Sequence, residues 1–281
     1  MADDSAMVAE AEIEPTATQG RRRGLHEVKI FGERNTGTTA LKRLIERNSS
    51  STVCPSVAVE LDPLFGLKME VLRRAPRRYR RRLTETYIDR VFRRVTPRLA
   101  WKHTATAFDE IHSFDGCPVI VMTRHPASWL LGLHHHPYHA LVSVDRDLSA
   151  FLRAHWIPVK RDTLDRRDLL PGDLWNAKTR SQLSLVEKLS KANMQVRVVK
   201  FEDFVVDQKA TFHTLKGILV NPADQPEIIE RSTKDRTKDF RYYEDYYREE
   251  RWKSDITRES AELIDQSIDW VLAGDVGYKR P

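Results

Sequence analysis

With 281 residues, 40% of them hydrophobic, the chain is long enough for one large or two small cores, and one α/β domain is the simplest organisation. Two cysteines, Cys54 and Cys117, lie far apart with no repeated spacing, which speaks against a disulfide framework or a zinc site and fits a reducing, cytoplasmic setting. A net charge of +6 and a pI near 9.3 point to an anionic ligand or partner without naming it.

Residues 1–24 are rich in Ala, Glu, Asp and Thr and lack apolar periodicity, so a mobile tail is expected ahead of a domain spanning 25–281. No apolar core follows a basic start, so the tail does not read as a signal peptide, and Arg21-Arg22-Arg23 reads as a solvated charge run. No apolar run is long enough to span a bilayer; a soluble protein without stable membrane insertion is expected.

The first structured stretch is Val28 to Gly32, then Glu33-Arg34-Asn35-Thr36-Gly37-Thr38-Thr39, then the apolar-periodic Ala40 to Ile45: strand, tight loop, helix. Such a junction gathers backbone N–H groups and the positive end of a helix dipole around one point, which suits a phosphate or sulfate. Gly32 and Gly37 have P-loop spacing, but Thr38 stands where an ATPase needs Lys. The loop is therefore expected to hold an anion without ATP hydrolysis.

Beyond the first helix, Thr52 to Cys54 and Val57 to Val59 predict a short strand, and Asp62 to Gly66 a turn. Residues 72–98 then form an Arg-rich helical insertion with eleven arginines between Arg73 and Arg98, opposed only by Glu85 and Asp89. Leu83, Tyr87, Val91 and Val95 recur every four residues and predict one buried stripe. The basic remainder reads as a solvated insertion, with recruitment of a polyanionic substrate as the alternative; few aromatic residues interleave, so nucleic acid is not the expected partner.

Two strands are predicted to end in cations. Arg98 to His103 places Lys102 and His103 at a carboxyl end, and after a helix over Thr106 to Ser113, Cys117 to Thr123 ends at Arg124-His125-Pro126. In open parallel sheets, ligands gather outside the carboxyl ends of strands. His134-His135-His136-Pro137 reads as a helix end, since adjacent side chains on a helix diverge and no carboxylate stands at ligand spacing.

In order and separation these segments resemble the sulfotransferases that use 3′-phosphoadenosine 5′-phosphosulfate (PAPS). The loop Arg34 to Thr39 is similar to their first motif, and Val119 to Pro126 to their hydrophobic strand ending in Arg-X-Pro. Trp101-Lys102-His103 resembles the Lys-Thr-His strand end of the cytosolic branch, Phe201-Glu202-Asp203 a Tyr-Glu-Asp strand end, and Leu174-Trp175-Asn176 and Val276-Gly277-Tyr278 features of bacterial members. The resemblance spans Val28 to Tyr278 and implies a P-loop-like three-layer α/β fold with a central, mostly parallel sheet flanked by helices.

It further implies transfer of a sulfuryl group from PAPS, with no metal required, to a hydroxyl acceptor such as a glycan, a glycolipid or a small alcohol. His103 would be the base, an imidazole that titrates near neutrality. The role of stabilising the departing phosphosulfate would pass to Arg34 or Lys102, since Asn35 replaces the family's loop Lys. Arg34, Asn35, Thr36, Gly37, Thr38 and Thr39 would hold the 5′ side of the donor. Arg124 and Ser128 would hold its 3′-phosphate, since Gly132 replaces the family's Ser. Lys234, Arg236 and Lys238 are further candidates for that phosphate.

The rest of the chain supports the sheet: helices over Leu174 to Leu189 and Gln208 to Leu219, a strand over Gln195 to Lys200, an aromatic segment from Phe240 to Tyr247 that packs over the sheet or forms a lid, and a closing helix over Ser254 to Leu272. Two other classes remain. A P-loop kinase would need a phosphate-reading Lys and a strand-end Asp for magnesium, and a non-catalytic anion- or nucleic-acid-binding protein would use the loop and the arginines without chemistry.

Overall fold

The computed structural model describes residues 26–139, 141–164, 168–231 and 238–280. The expected N-terminal tail and the candidates Lys234 and Arg236 lie outside them. Four strands, β1 (Glu27–Gly32), β2 (Thr52–Val53), β3 (Val119–Thr123) and β4 (Val196–Lys200), form one parallel sheet in the order β2-β1-β3-β4. The chain moves outward from β1 to β2 and then returns to the other side of β1, so the order reverses between β1 and β3. That is where an open parallel sheet opens a crevice at its carboxyl edge.

Helices connect and flank the strands: α1 (Thr38–Asn48), α2 (Ala58–Leu61), α3 (Phe65–Arg73), α4 (Arg77–Val91), α5 (Pro126–His135), α6 (Leu148–Arg153), α7 (Pro171–Lys191), α8 (Phe201–Val206), α9 (Gln208–Leu215), α10 (Phe240–Arg248), α11 (Arg258–Ser267) and α12 (Trp270–Asp275). Side chains of a strand point alternately to its two faces, so a strand covered on both faces reads as a continuous apolar run. Val28 and Ile30 of β1, with Ile120 and Met122 of β3, enter the larger core beneath α1 and α5. Phe31, Val119 and Val121 enter a second core against Leu185 and Leu189 of α7. Lys29 is the polar exception on this second face; it is fully buried, its Nζ donates to the carbonyl of Ala100 at 2.6 Å, and burial lowers its pKa to about 8.

Several expectations need correction. Arg98 to His103 is not a strand: Pro97 opens a single 3₁₀ turn through Leu99. The next residues cross the end of the sheet, where Lys102 gives its carbonyl to Gly32 N at 3.0 Å and its N–H to Ser56 O at 3.4 Å. No helix covers Thr106 to Ser113, because Thr106 is bound to Ser181 of α7 through both its N–H and its hydroxyl at 2.9 Å, and only a 3₁₀ turn at His112–Phe114 follows. Val57 to Val59 runs into α2 instead of a strand, and the turn expected through Gly66 gives way to α3 from Phe65.

The Arg-rich insertion is a helical hairpin, α3 and α4, whose buried residues are Thr84 and Glu85. Leu83, expected inside, is exposed. The closing helix is divided at Ile268-Asp269, where Asp269 caps α12 by accepting from Leu272 N at 3.0 Å. Cys54 and Cys117, distant in sequence, are buried free thiols with their sulfurs 3.6 Å apart. No helix among the described residues is long and apolar enough to cross a membrane.

Gly172 lets α7 start against the end of α11, since a Cβ there would collide with Ser267 Oγ and lie 2.6 Å from its Cβ. Gly172→Ala is expected to cost about 1–3 kcal/mol in urea unfolding, the usual range for overpacking. Pairing it with Ser267→Gly should recover most of the loss; no recovery would locate the strain elsewhere.

Candidate functional site

The β1–α1 junction is tightly built. Gly32 is required because a Cβ would lie 2.9 Å from both Met122 Cβ and Met122 O on the neighbouring strand. Asn35 and Gly37 take positive φ, 63° and 78°, which turns the chain sharply into α1. Thr36 closes the loop by donating its hydroxyl to Glu33 O at 2.6 Å, and Asn35 Nδ2 donates to the carbonyls of Gly132 and His136 at 3.2 and 3.3 Å. No side chain caps α1, so N–H groups of its first turn, including those of Thr38 and Thr39, are without an intrahelical acceptor.

Arg124, just past β3, reaches this loop from across the reversal point. Its Nη1 donates to Asn35 O at 2.7 Å, its Nε to Ser128 Oγ at 2.8 Å and its Nη2 to the Tyr247 hydroxyl at 2.6 Å, while the guanidinium lies 4.7 Å from the Phe201 ring. Gly132 makes this position possible, since a Cβ there would lie 2.7 Å from Arg124 Nη1. Glu202 collects the remaining donors, accepting from His125 N at 3.0 Å, Ser128 Oγ at 3.1 Å and the Tyr278 hydroxyl at 3.2 Å. Burial raises the pKa of its carboxyl.

Lys102 and His103 approach the same loop from its other side. Lys102 Nζ donates to Thr39 Oγ1 at 3.0 Å. His103 Nδ1 lies 2.5 Å from Gly32 O. A carbonyl can only accept, so Nδ1 carries the proton and Nε2 keeps its lone pair. Burial first, then the charges of Lys102 and Arg34, hold the His103 pKa well below the ordinary imidazole value. The ring is therefore neutral at neutral pH with Nε2 as an acceptor.

Arg34 is placed differently from expectation. Only 1% exposed, it is turned inward, donating Nη1 to Glu33 Oε1 at 2.9 Å and Nη2 to Asp162 Oδ2 at 2.9 Å. Lys178 of α7 joins the same cluster, 2.5 Å from Asp162 Oδ1, and also donates to His103 O. Burial alone would raise the Asp162 pKa, but Arg34 and Lys178 outweigh it and hold the carboxyl well below the usual range. Two cations facing two carboxylates leave Arg34 no uncommitted charge for a ligand. Of the two cations expected to serve the loop, Lys102 is the one that reaches it.

A second charged layer lies on Trp101, whose ring is 4.8 Å from the Arg34 guanidinium and 4.4 Å from that of Arg161. Arg161 pairs with Glu85 and Asp89 of α4 at 2.6 and 2.8 Å, and His139 with Glu85 at 3.1 Å. Sequence analysis missed Asp162, Lys178 and Arg161, which stand in no motif. Glu85 and Asp89 did carry a signal: the only acids in the arginine run are four residues apart, on one face of a helix.

The histidine run ends α5 at His135, and no metal-holding cluster is found among the described residues. Lys238 lies with its Nζ 4.6 Å from the Tyr242 ring. A cavity of about 840 Å³ lies at the far half of α1 between Arg43, Arg47, Lys209 and residues 225–231, away from the loop. The sequence matches no known family profile and no curated protein.

Two predictions follow from the charge clusters. Asp162→Asn leaves Arg34 and Lys178 with reduced compensation and is expected to lower stability by about 3–5 kcal/mol in denaturant unfolding; a variant as stable as the parent would mean that the two cations find other partners. For Glu85, burial acts upward, but His139 and Arg161 outweigh it and bring the pKa down to about 2. A depressed carboxyl stabilises the fold above its unfolded pKa and loses that contribution as pH falls toward its folded value. Between about pH 4.5 and 2, Glu85→Gln should therefore flatten the fall of stability with acid, measured as melting temperature against pH.

Proposed function

We propose that this protein is a PAPS-dependent sulfotransferase, with the β1–α1 loop as a P-loop-like cradle for the 5′-phosphosulfate. One observation carries the proposal: Arg124 on one side and the adjacent Lys102 and His103 on the other, two separate segments, bind the same short stretch, Gly32 to Thr39, at the point where strand order reverses. An anion there meets unpaired N–H groups of a helix start and two cations, with a neutral imidazole beside it.

In the transfer, the acceptor hydroxyl would give its proton to His103 Nε2 as its oxygen forms the new bond to sulfur. The bond from sulfur to the bridging phosphate oxygen breaks, leaving adenosine 3′,5′-bisphosphate. Lys102 and the N–H groups of Gly37, Thr38 and Thr39 would stabilise the charge appearing on that phosphate. Arg124 and Ser128 would bind the 3′-phosphate, the guanidinium fork matching two oxygens. Arg34 enters this mechanism as a positioning residue that holds the loop through Glu33 and Asp162. No covalent intermediate on the protein is needed.

Calorimetry with adenosine 3′,5′-bisphosphate tests the donor assignment, and absence of binding at high micromolar concentration would overturn it. Arg124→Ala is expected to weaken the nucleotide roughly 10- to 100-fold, the loss of hydrogen bonds to a charged group. His103→Ala should leave that affinity unchanged while transfer of labelled sulfate to an acceptor extract falls about 10²- to 10⁴-fold. The acid limb of the rate profile should lie below the ordinary histidine range, because the low pKa keeps Nε2 unprotonated further into acid. A binding protein without chemistry would be indifferent to the His103 substitution.

A further inference from the structure

The α3–α4 hairpin has apolar residues on two sides. On α3 the inward side is formed by Phe65, Met69 and Leu72, with Phe65 stacked 5.9 Å from Tyr87 of α4. Leu64, Leu67 and Val71, spaced i, i+3, i+7, form a second stripe on the opposite side and are 55%, 66% and 61% exposed. On α4, Tyr79 and Leu83 are 49% and 43% exposed on the side away from buried Thr84 and Glu85. Single exposed apolar side chains are normal on any surface, but here five fall within twenty residues.

Beside them lies a predominantly basic run, with Asp62 paired to Lys68 at its near end. Arg73, Arg74, Arg77, Arg78, Arg80, Arg81 and Arg82 follow one another with no acidic residue in between. The acids of α4, Glu85 and Asp89, are committed on the inner side to Arg161 and cannot offset them. Glu70 stands before the run, paired with Arg73 at 3.1 Å.

We propose that the outer face of this hairpin docks on an anionic phospholipid surface, the exposed Arg74, Arg78 and Arg82 among the headgroup phosphates and Leu64, Leu67, Val71, Tyr79 and Leu83 at the acyl boundary. A basic helix with aliphatic side chains on its outer side binds at a bilayer interface through buried apolar area together with attraction to acidic lipid. The aliphatic stripe distinguishes this from nucleic acid, where phosphate contacts use the arginines but give leucine and valine nothing to enter. The inner side of α4 is held by Arg161, so the surface is preformed. This inference is independent of the sulfotransferase proposal.

The test is co-sedimentation of the full chain with vesicles of phosphatidylcholine alone or mixed with phosphatidylglycerol. The protein is expected to pellet with the anionic vesicles only and to be released by high salt. Leu67→Gln with Val71→Gln keeps every charge and alters only exposed side chains; it should lower partitioning about tenfold or more. Leu67→Met with Val71→Ile should restore it, and far-UV circular dichroism should be the same for all three proteins. Failure to pellet with anionic vesicles would overturn the proposal, as would unchanged partitioning of the glutamine pair. Tight binding of a DNA duplex, equal in parent and glutamine pair and without vesicle binding, would assign the arginines to nucleic acid instead.

Discussion

The Asp162 carboxylate is completely buried and shared by Arg34 of the β1–α1 loop and Lys178 of α7, and Lys178 also holds the carbonyl of His103. A buried ion pair contributes little net stability compared with apolar packing, because desolvation offsets attraction. Removing one partner is another matter, since the remaining charges cannot return to water. The cluster therefore ties geometry together: the loop, the long helix and the residues beyond Trp101 meet at one buried carboxylate, and none can move away without stranding a charge.

That constraint divides the cations of the site into two kinds. Arg34 and Lys178 spend their charge inward on carboxylates, whereas Arg124 donates to two hydroxyls and a carbonyl, and Lys102 reaches the loop at the Thr39 hydroxyl. Neutral acceptors leave the Arg124 charge unpaired by any carboxylate bonded to it, a charge that the proposed anion would meet. Glu202 moderates it, since its carboxyl stands behind Ser128 and Tyr278.

The central strands were legible in the sequence because β1 and β3 are buried on both faces and appear as plain apolar runs. The loop was legible because Gly32 and Gly37 are needed for close approach and positive φ, both local requirements. Residues 98–114 were not. Their apolar side chains serve burial, yet their backbone partners, Gly32, Ser56 and Ser181, are set by tertiary contacts that no local period encodes. The fate of Arg34 was hidden for the same reason, since its neutralising partner Asp162 is 128 residues away. Cys54 and Cys117 repeat the lesson: parallel pairing with β1 brings together positions that sequence spacing sets apart.

Gly132 and the inward fold of Arg124 share one small volume, which either a side chain or a guanidinium can fill. With the guanidinium there, each of the three Arg124 nitrogens already donates to a protein acceptor, Ser128, Asn35 or Tyr247. The proposed oxyanion would therefore compete with these acceptors for the fork, and its affinity would reflect the difference between the bonds it forms and those it displaces. On the proposed function such a site would discriminate by exchange: water and weakly coordinating ions would gain little by entering, and the favoured anion would be one whose oxygens match the fork of the guanidinium better than a carbonyl and two hydroxyls.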